Sequence, residues 1–554
     1  MMITRKNAKK VLRMPITAKP PKARSLPKQS KQSKQSKQPK QPKQPRRPGS
    51  SARSGLSTAP TPTTLPITLS PKTSSKPPPS LNLTVDRALH IPVFLQIGER
   101  FKTAIAQGHL RPGDRVPAAR ALAGELHLSR GTVDAAYRLL ADEGYLMTRG
   151  AAGTVVSPAL PHAIEKTANM PAPVAGTPWN HAATPVVRPF QMGLPALDAF
   201  PRKLWNRLAA RNLRGLGVPG LAYPDAAGYW PLRERIATYL GLSRGVVCRP
   251  EQVFITPGYR ATLQLILHTL FRQKDKFWFE DPGYLNARRF LIESGAQLVP
   301  VPVDKDGLMV EHGRRLAPNA RFALVTPSHQ SPTGVTLSLE RRMALLDWAG
   351  SGEGAGKQGS WIIEDDYDSE YRYVGRPLPA LKSLDRYDRV IYTGTFSKVL
   401  FPGLKLSYMV APASEVERFG AAANGLMAGS PQLFQASVAD FMAEGHFYRH
   451  LKKMRSLYAQ RRDYTAQALL NVFGDRMRID LQAGGMHLLA MLPEGEDDAL
   501  LADRALNLGL PVHALSRWCI AARPAPGLLL SFTNLTDAAH ALRAVTQLKQ
   551  AFDY

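Results

Sequence analysis

The chain has almost no cysteine: Cys248 and Cys519 are the whole supply among 554 residues. Two thiols cannot build a disulfide framework, so the composition fits a reducing compartment, and neither thiol is assigned a chemistry. There is no run of 18 or more apolar residues, so no membrane span is expected. A third absence is local. Residues 1–80 contain 19 of the 73 Lys and Arg and none of the 43 Asp and Glu, so this leader alone carries +19 of the net +30. Six tripeptides run from Lys28 to Pro45, KQS three times and then KQP three times. Such a stretch cannot bury a core, and residues 1–88 are expected to be a disordered basic leader. Spaced lysines bind a polyphosphate without reading its sequence, by releasing counterions. A purely solubilising role is the equal alternative. An acid-free, Arg-containing start also suits an organelle transit peptide, a reading opposed by the lysine repeats and by the segment that follows.

What is present beyond residue 88 is globular: the whole chain is 44% hydrophobic and 21% charged. Its length exceeds one ordinary core, so two or more folded units are expected. The first spans residues 89–157. Pro92 suits a helix start, and Phe94, Ile97, Phe101 and Ile105 form an apolar stripe that ends at Gly108. "RPGDRVP" is turn chemistry, and Pro117 is expected to open a second helix carrying Leu122 and Leu126. Ser129 is a good N-cap for a third helix with Val133, Tyr137 and Leu140 inward and Gly144 as terminator. "YLMTRGAAGTVVSP" reads as a hairpin with Gly150 and Gly153 near its turn.

Three short helices and a hairpin make a winged helix-turn-helix, whose third helix enters the major groove of DNA. Arg130 and Thr132 stand at that helix start, Arg138 lies further along it, Arg120 lies on the supporting helix, and Gly153 shapes the wing. Arginine grips guanine edges or phosphates with two parallel bonds. The bland reading is a small helical docking module with solvated arginines.

Residues 158–188, rich in Pro and Ala, read as a tether. From 189 to 554, β-branched or aromatic runs alternate with helical patterns. The candidate strands are "QVFIT", "KFWFE", "QLVPVPV", "RFALVT", "SWIIED" and "RVIYTG". This alternation implies an α/β domain with a mostly parallel sheet, whose ligands bind beyond the carboxyl ends of its strands. Chemically interesting residues follow five of those strands. They are Gly258, then the Pro282–Tyr284 loop, then Ser331 to Gly334, then Asp365 and Tyr367, then Thr395, Ser397 and Lys398.

One ligand needs all of these. Pyridoxal 5′-phosphate wants an amine for its aldehyde, here Lys398. Its protonated ring nitrogen wants a carboxylate, Asp365. Its phenolic oxygen suits Tyr367, and its ring face suits Tyr284. Its phosphate suits Gly258 at a helix start, Thr395, Ser397 and Lys405. Each piece has a bland counterpart: a lysine after a strand is ordinarily a surface group, "EDDYDSE" alone is an acidic loop or a hard-cation site, and PGY and SPTG are ordinary turns. The coincidence of five loops carries the reading, and no metal is expected.

The stretch from "PVFLQIGERFKTAI" to "GAAGTVV", residues 92–156, closely resembles the DNA-binding domain of the GntR family, through the PGD turn, the SRGTV helix start and the GT of the wing. "YPDAAGYWPLRERIATYL", "EDPGY", "HQSPTG", "IIEDDYDSEY" and "GTFSKVLFPGLKLSYMV" resemble the fold-type I aminotransferases. The two together look like the MocR subfamily of bacterial transcriptional regulators. The resemblance implies Lys398 as imine-forming lysine, Asp365 as pyridine-nitrogen partner, Tyr367 as phenol-oxygen contact and Tyr284 as ring stacker. It implies Tyr223 as a phosphate contact across a homodimer interface, and Arg517 in "LSRWC" as the clamp for an effector carboxylate, a surface arginine being the bland alternative. It departs from the family at Ala118, where serine is common, at Ser331 for asparagine and at Lys405 for arginine. Tyr259 and Arg260 stand where small residues are common beside the phosphate, Arg260 as a substitute charge.

The expected function is therefore a cytoplasmic, nucleoid-associated bacterial regulator. It would bind paired operator half-sites on double-stranded DNA and sense pyridoxal phosphate with an amino acid or amine. The alternative is an aminotransferase with an accessory DNA-binding head. A third reading, a nucleoid-type binder using the leader, predicts DNA binding indifferent to cofactor.

Overall fold

The computed structural model describes residues 85–87, 89, 91–150, 153–160, 186–351, 359–375, 378–426 and 429–552. The basic leader and most of the expected tether lie outside the described residues. The chain divides into two units, Met1–Thr177 and Pro178–Tyr554.

In the first unit, Ile97, Phe101 and Ile105 are buried along α1 (Val93–Ala106), with Phe94 half-buried at its start. Helix α2 (Ala119–Glu125) begins at Ala119 rather than at Pro117. Pro117 stays outside it, and its carbonyl accepts the Tyr137 hydroxyl at 2.9 Å. Ala118 occupies the cap position and offers no side-chain bond. By contrast α3 (Arg130–Asp142) opens under Ser129, whose Oγ accepts the Thr132 amide at 3.2 Å. Val133, Tyr137 and Leu140 face the core as expected. Strands β1 (Leu146–Thr148) and β2 (Thr154–Val156) pair antiparallel, with Gly150 and Gly153 at positive φ between them. All these elements close on one cluster that includes Ile97, Phe101, Leu122, Val133, Leu140 and Val156.

The second unit opens with α4 (Arg202–Arg214) and α5 (Trp230–Arg244), then β3 (Val253–Thr256), α6 (Tyr259–Leu270), β4 (Lys276–Asp281), α7 (Leu285–Glu293), β5 (Gln297–Asp304) and β6 (Gly307–Leu308). It continues through α8 (Val310–Leu316), β7 (Phe322–Val325), α9 (Leu339–Gly350), β8 (Trp361–Asp366), β9 (Val390–Thr395) and β10 (Ser407–Val410). These strands form one sheet in the order β3-β10-β9-β8-β7-β4-β5-β6. It is parallel from β9 to β5. Strand β10 runs antiparallel to both β9 and β3, so β3 points the same way as β9. The carboxyl ends of β3, β4, β7, β8 and β9 therefore share one edge.

The period-two alternation of strands places side chains on opposite faces. On β4, Phe277 and Phe279 join one apolar layer and Trp278 the other; on β7, Phe322 and Leu324 separate from Ala323 and Val325 in the same way. Strands buried on both faces read as continuous hydrophobic runs, which is why these segments were visible in the sequence.

The rest of the unit is α10 (Val416–Gly425), α11 (Gln432–Ala443), the 28-residue α12 (His446–Phe473), β11 (Arg478–Ile479), β12 (His487–Met491), α13 (Asp498–Asn507), β13 (His513–Ala514), β14 (Gly527–Ser531) and α14 (Ala538–Lys549). Its strands make a second, antiparallel sheet in the order β11-β12-β14-β13, which the strand reading of the sequence did not include. Among the described residues no helix is long and apolar enough to cross a membrane.

Candidate functional site

The acidic run after Trp361 is sorted by strand alternation. Glu364 and Asp366 share one face of β8 and Asp365 takes the other. Glu364 accepts the amides of Leu381 and Lys382 at 2.8 and 2.9 Å. Asp366 accepts from Arg244 Nε at 2.8 Å and from the Tyr392 hydroxyl at 2.6 Å. Arg244 and Asp366 are both buried, and removing one partner of such a pair costs about 3–5 kcal/mol. Asp365 faces a cavity of about 390 Å³ at the carboxyl edge of the sheet. Its neighbours scatter the remaining carboxylates, and among the described residues no group of three or more His, Cys, Asp or Glu is placed to hold a metal ion.

Eight residues singled out in the sequence line this cavity: Tyr259, Tyr284, Ser331, Asp365, Tyr367, Thr395, Ser397 and Lys398. They arrive at the carboxyl ends of β3, β4, β7, β8 and β9, with Asp365 and Thr395 still within their strands and Tyr259 opening α6. Lys398 is half-buried and lines this space: its Nζ donates to the Gly193 carbonyl at 2.8 Å, and burial lowers its pKa. Burial pushes Asp365 up to about 7; the Tyr259 phenol opposes that rise, and Asp366, Glu280 and Asp368 add to it. The Tyr259 hydroxyl is itself buried with no well-aligned bond, so the two groups feel each other without locking together. Thr395 Oγ1 accepts the Ser397 amide at 3.2 Å and the Ser407 hydroxyl at 2.9 Å. Gly258 precedes α6 with φ 96, a conformation that a side chain would strain, and brings the helix N-terminus to the strand end.

Five other sequence candidates do not line the cavity. Gly258 sits beside it through its neighbour Tyr259. Lys405 is exposed in a left-handed conformation. Tyr223 is 91% exposed on this chain. Arg517 turns to Asp503 at 2.6 Å. Arg260 likewise pairs with Glu293 at 2.9 Å rather than standing as a spare cation.

The structure adds residues that sequence reasoning missed. His329, inside the quoted "HQSPTG", places Nδ1 2.9 Å from the Tyr367 hydroxyl and 3.0 Å from Asp368 Oδ2. With the proton on Nδ1 the Tyr367 oxygen accepts; with it on Nε2 the Tyr367 hydroxyl donates to Nδ1. Gly485 permits this, because a Cβ there would lie 2.3 Å from the His329 ring. Gln330 locks the same loop, donating to Glu280 and the Pro282 carbonyl at 3.1 and 2.9 Å. Met192, His487, His513 and Trp518 also line the cavity. Trp518 is held by a clamp: Asp281 accepts the amides of Ile520, Ala521 and Ala522, each at 2.7 Å. No sequence signal marked these, since their neighbourhood is made by contacts between distant segments.

In the first unit Arg120, Arg130 and Arg138 are exposed. Arg130 lies 3.4 Å from Asp134 yet keeps a side chain 71% exposed. Thr132 Oγ1 is 2.8 Å from Ser129 Oγ, so it also serves the helix cap. Gly153 has φ 87 at the wing, and Arg149, not singled out in the sequence, is exposed on the same hairpin.

Residues 94–156 match the family "Bacterial regulatory proteins, gntR family", and residues 202–503 match "Aminotransferase class I and II". The chain is 36% identical to the probable rhizopine catabolism regulatory protein MocR of Rhizobium meliloti, over 85% of this chain and 96% of that protein. It is 34% identical to the HTH-type pyridoxine biosynthesis transcriptional regulator PdxR of Corynebacterium glutamicum, over 76% and 88%. Among solved structures it is similar to the α-aminoadipate aminotransferase LysN of Thermus thermophilus, complexed with N-(5′-phosphopyridoxyl)-L-leucine. There the TM-score is 0.59 at 30% identity, covering 66% of this chain and 91% of that one.

Proposed function

Because the chain belongs to the MocR type of GntR-family transcriptional regulators, with a winged helix-turn-helix and a fold-type I aminotransferase-like domain, we propose that it is a regulator that binds pyridoxal phosphate and reports cofactor or amine occupancy to operator DNA. The observation that carries this is the meeting of Lys398 and Asp365 in one cavity, on a chain whose other unit exposes Arg120, Arg130 and Arg138.

The residues fit the group. Lys398 is a half-buried amine whose pKa burial lowers, a shift toward its neutral, nucleophilic form. Asp365 is a buried carboxyl with no ion pair among the described residues, and a protonated ring nitrogen would supply the missing cation. Tyr284 offers a ring face, Tyr367 a proton, and Thr395, Ser397, Ser331 and the α6 N-terminus with Gly258 offer donors to a phosphate, with Lys405 near their loop. When bound, the cofactor supplies an electrophilic carbon for amines. Lys398 would hold that carbon, Asp365 would keep the ring nitrogen protonated, and Tyr367 would donate to the phenolic oxygen.

The reading includes a homodimer. Val218, Leu221 and Tyr223 are 82%, 74% and 91% exposed, an apolar edge suited to a second copy, whose phosphate Tyr223 would reach. Paired heads match paired half-sites. Domain limits of 89–157 and 189–554, joined by 158–188, and a cytoplasmic, nucleoid-associated location complete the proposal. The aminotransferase alternative leaves the exposed arginines of the first unit without a role.

The test is footprinting of the chain on its own upstream DNA with and without pyridoxal phosphate. A footprint that changes with cofactor is expected. Lys398→Ala should abolish the visible absorbance of the cofactor-loaded protein and the cofactor-dependent change together. An identical footprint in coloured and colourless protein would discard regulation through this site.

A further inference from the structure

Resting on the cofactor reading above, we propose that His329 is a proton relay. With Tyr367 on one side and a small water-holding chamber on the other, it carries protons between the cofactor's phenolic oxygen and solvent through the wall of the cavity.

The ring faces both ways. His329 is buried, and its Nδ1 lies 2.9 Å from the Tyr367 hydroxyl and 3.0 Å from Asp368 Oδ2. In a Ser-His-Asp arrangement the hydroxyl and the carboxylate sit on opposite ring nitrogens. Here both sit at Nδ1, which leaves Nε2 to other neighbours. Those neighbours are Gly485 and Gly334, where a Cβ would lie 2.5 and 3.0 Å from Nε2. Both glycines also line a second cavity, of about 20 Å³, together with His329 itself. Two residues without side chains thus bring the Nε2 end of the ring to that chamber.

The chamber has the size and the chemistry for one water. Ser369 and Arg372 line it. Ser369 Oγ and Arg372 Nε are buried with no hydrogen-bond partner among the described residues. A hydroxyl and a guanidinium N–H are the kind of partners that a bridging water satisfies. Arg244, on the same wall, is already engaged by Asp366, Ser328 Oγ and the Leu378 carbonyl.

The charges around the ring suit a transient imidazolium. Asp368 stands beside Nδ1 to balance it. His487, its ring centre 5.7 Å away, is kept neutral by burial, its pKa lowered to about 4. Arg244 and Arg372 face the ring from the chamber, and Arg462 and Asp480 line a further gap beside it. Burial raises the Tyr367 phenol well above its ordinary value, and Asp368 and Asp365 add to the rise. A free phenolate is therefore disfavoured, and the transfer is concerted. As the Tyr367 oxygen takes a proton from the cavity side, its own proton passes to Nδ1 and Nε2 releases one to the chamber water. One O–H and one N–H bond form on these two side chains as one of each breaks. Nothing is oxidised or reduced.

The experiment uses the full chain loaded with pyridoxal phosphate. A laser pulse frees protons from a caged acid near the midpoint of the visible band's titration, and the relaxation of the band is timed. His329→Gln keeps a hydrogen-bond donor but cannot pass a proton through; at its own midpoint it is expected to relax more slowly by roughly tenfold or more. Ser369→Ala, outside the cofactor cavity, is expected to slow the relaxation and leave the midpoint unmoved. His329→Ala should be slow as well, with free imidazole restoring the rate in proportion to its concentration, a rescue that a purely structural ring does not give. Parental relaxation in His329→Gln, or no rescue by imidazole, overturns the relay. A parental rate in Ser369→Ala overturns the exit through the small chamber. In each of these cases a visible band leaves the cofactor reading intact; absence of any band in the parent protein overturns that reading and this one with it.

Discussion

Asp365 shows what burial does to a group before its partner arrives. Its folded pKa is raised to about 7, above the unfolded value of roughly 4. The folded state therefore binds a proton more tightly, so stability falls as pH rises between those values and stays reduced above them, by at most about 4 kcal/mol. Glu280 and Glu370, both also pushed to about 7, titrate in the same window, so the comparison must be differential. Cofactor-free Asp365→Asn is expected to gain melting temperature relative to the parent as pH goes from 5 to 8, with little difference at pH 4. Calorimetry across that range checks it, and parallel curves would remove Asp365 as the responsible group. Tyr367 supplies a second residue-scale expectation. If the His329–Asp368 pair turns the phenol proton toward the cavity, His329→Phe releases it. The pH at which the loaded protein's visible band titrates should then rise by up to about one unit, because a donor at the cofactor's phenolic oxygen makes the nearby nitrogen less basic. His329→Gln, which can still donate, should restore part of the shift.

At the level of elements, α3 does two jobs with neighbouring residues. Ser129 and Thr132 satisfy the helix start, while Arg130 projects outward beside Asp134. Ser129→Ala is expected to destabilise the first unit by about 1 kcal/mol and to weaken DNA binding only through unfolding. Arg130→Ala should leave the melting temperature within a degree or so and lower discrimination between operator and altered operator, by about 1–3 kcal/mol for a bidentate base contact. Binding titrations on both duplexes separate the two outcomes; retained discrimination would place base reading on Arg138, Arg149 or another group. In the second unit the equivalent device is the loop after β4. Asp281 holds Ile520 to Ala522, and Gly283 donates to the Trp518 carbonyl at 3.2 Å. A strand end of the large sheet thereby fixes a wall contributed by a segment more than 230 residues away.

For the molecule as a whole, charge is distributed unevenly: +19 of the net +30 lies in residues 1–80. That leader would add sequence-independent affinity through counterion release. Deleting residues 1–80 is expected to leave the cofactor-dependent footprint in place and to flatten the slope of log affinity against log salt. Loss of all DNA binding on deletion would favour the leader as the binding element and demote the winged helix-turn-helix.

Strands β3, β4, β5, β7, β8 and β9 and the loops after them were legible in the primary structure, because sheet strands read as apolar runs and a parallel sheet sends its carboxyl ends to one edge; β6 and β10 were not read as strands. Lys398, Asp365, Tyr284 and Tyr367 could be picked for that reason, and Ser129 as a cap for an equally local one. The start of α2 was misplaced by two residues, since Pro117 is used by Tyr137 from another helix, a contact that local sequence does not encode. The small antiparallel sheet, the His329–Tyr367–Asp368 cluster, the Trp518 wall and the pairing of Arg517 with Asp503 all join residues distant in the chain. Local propensity and spacing report what a residue does with its near neighbours. Which side chain meets which across long separations, and so which charges remain available in the cavity, is settled only when the chain packs.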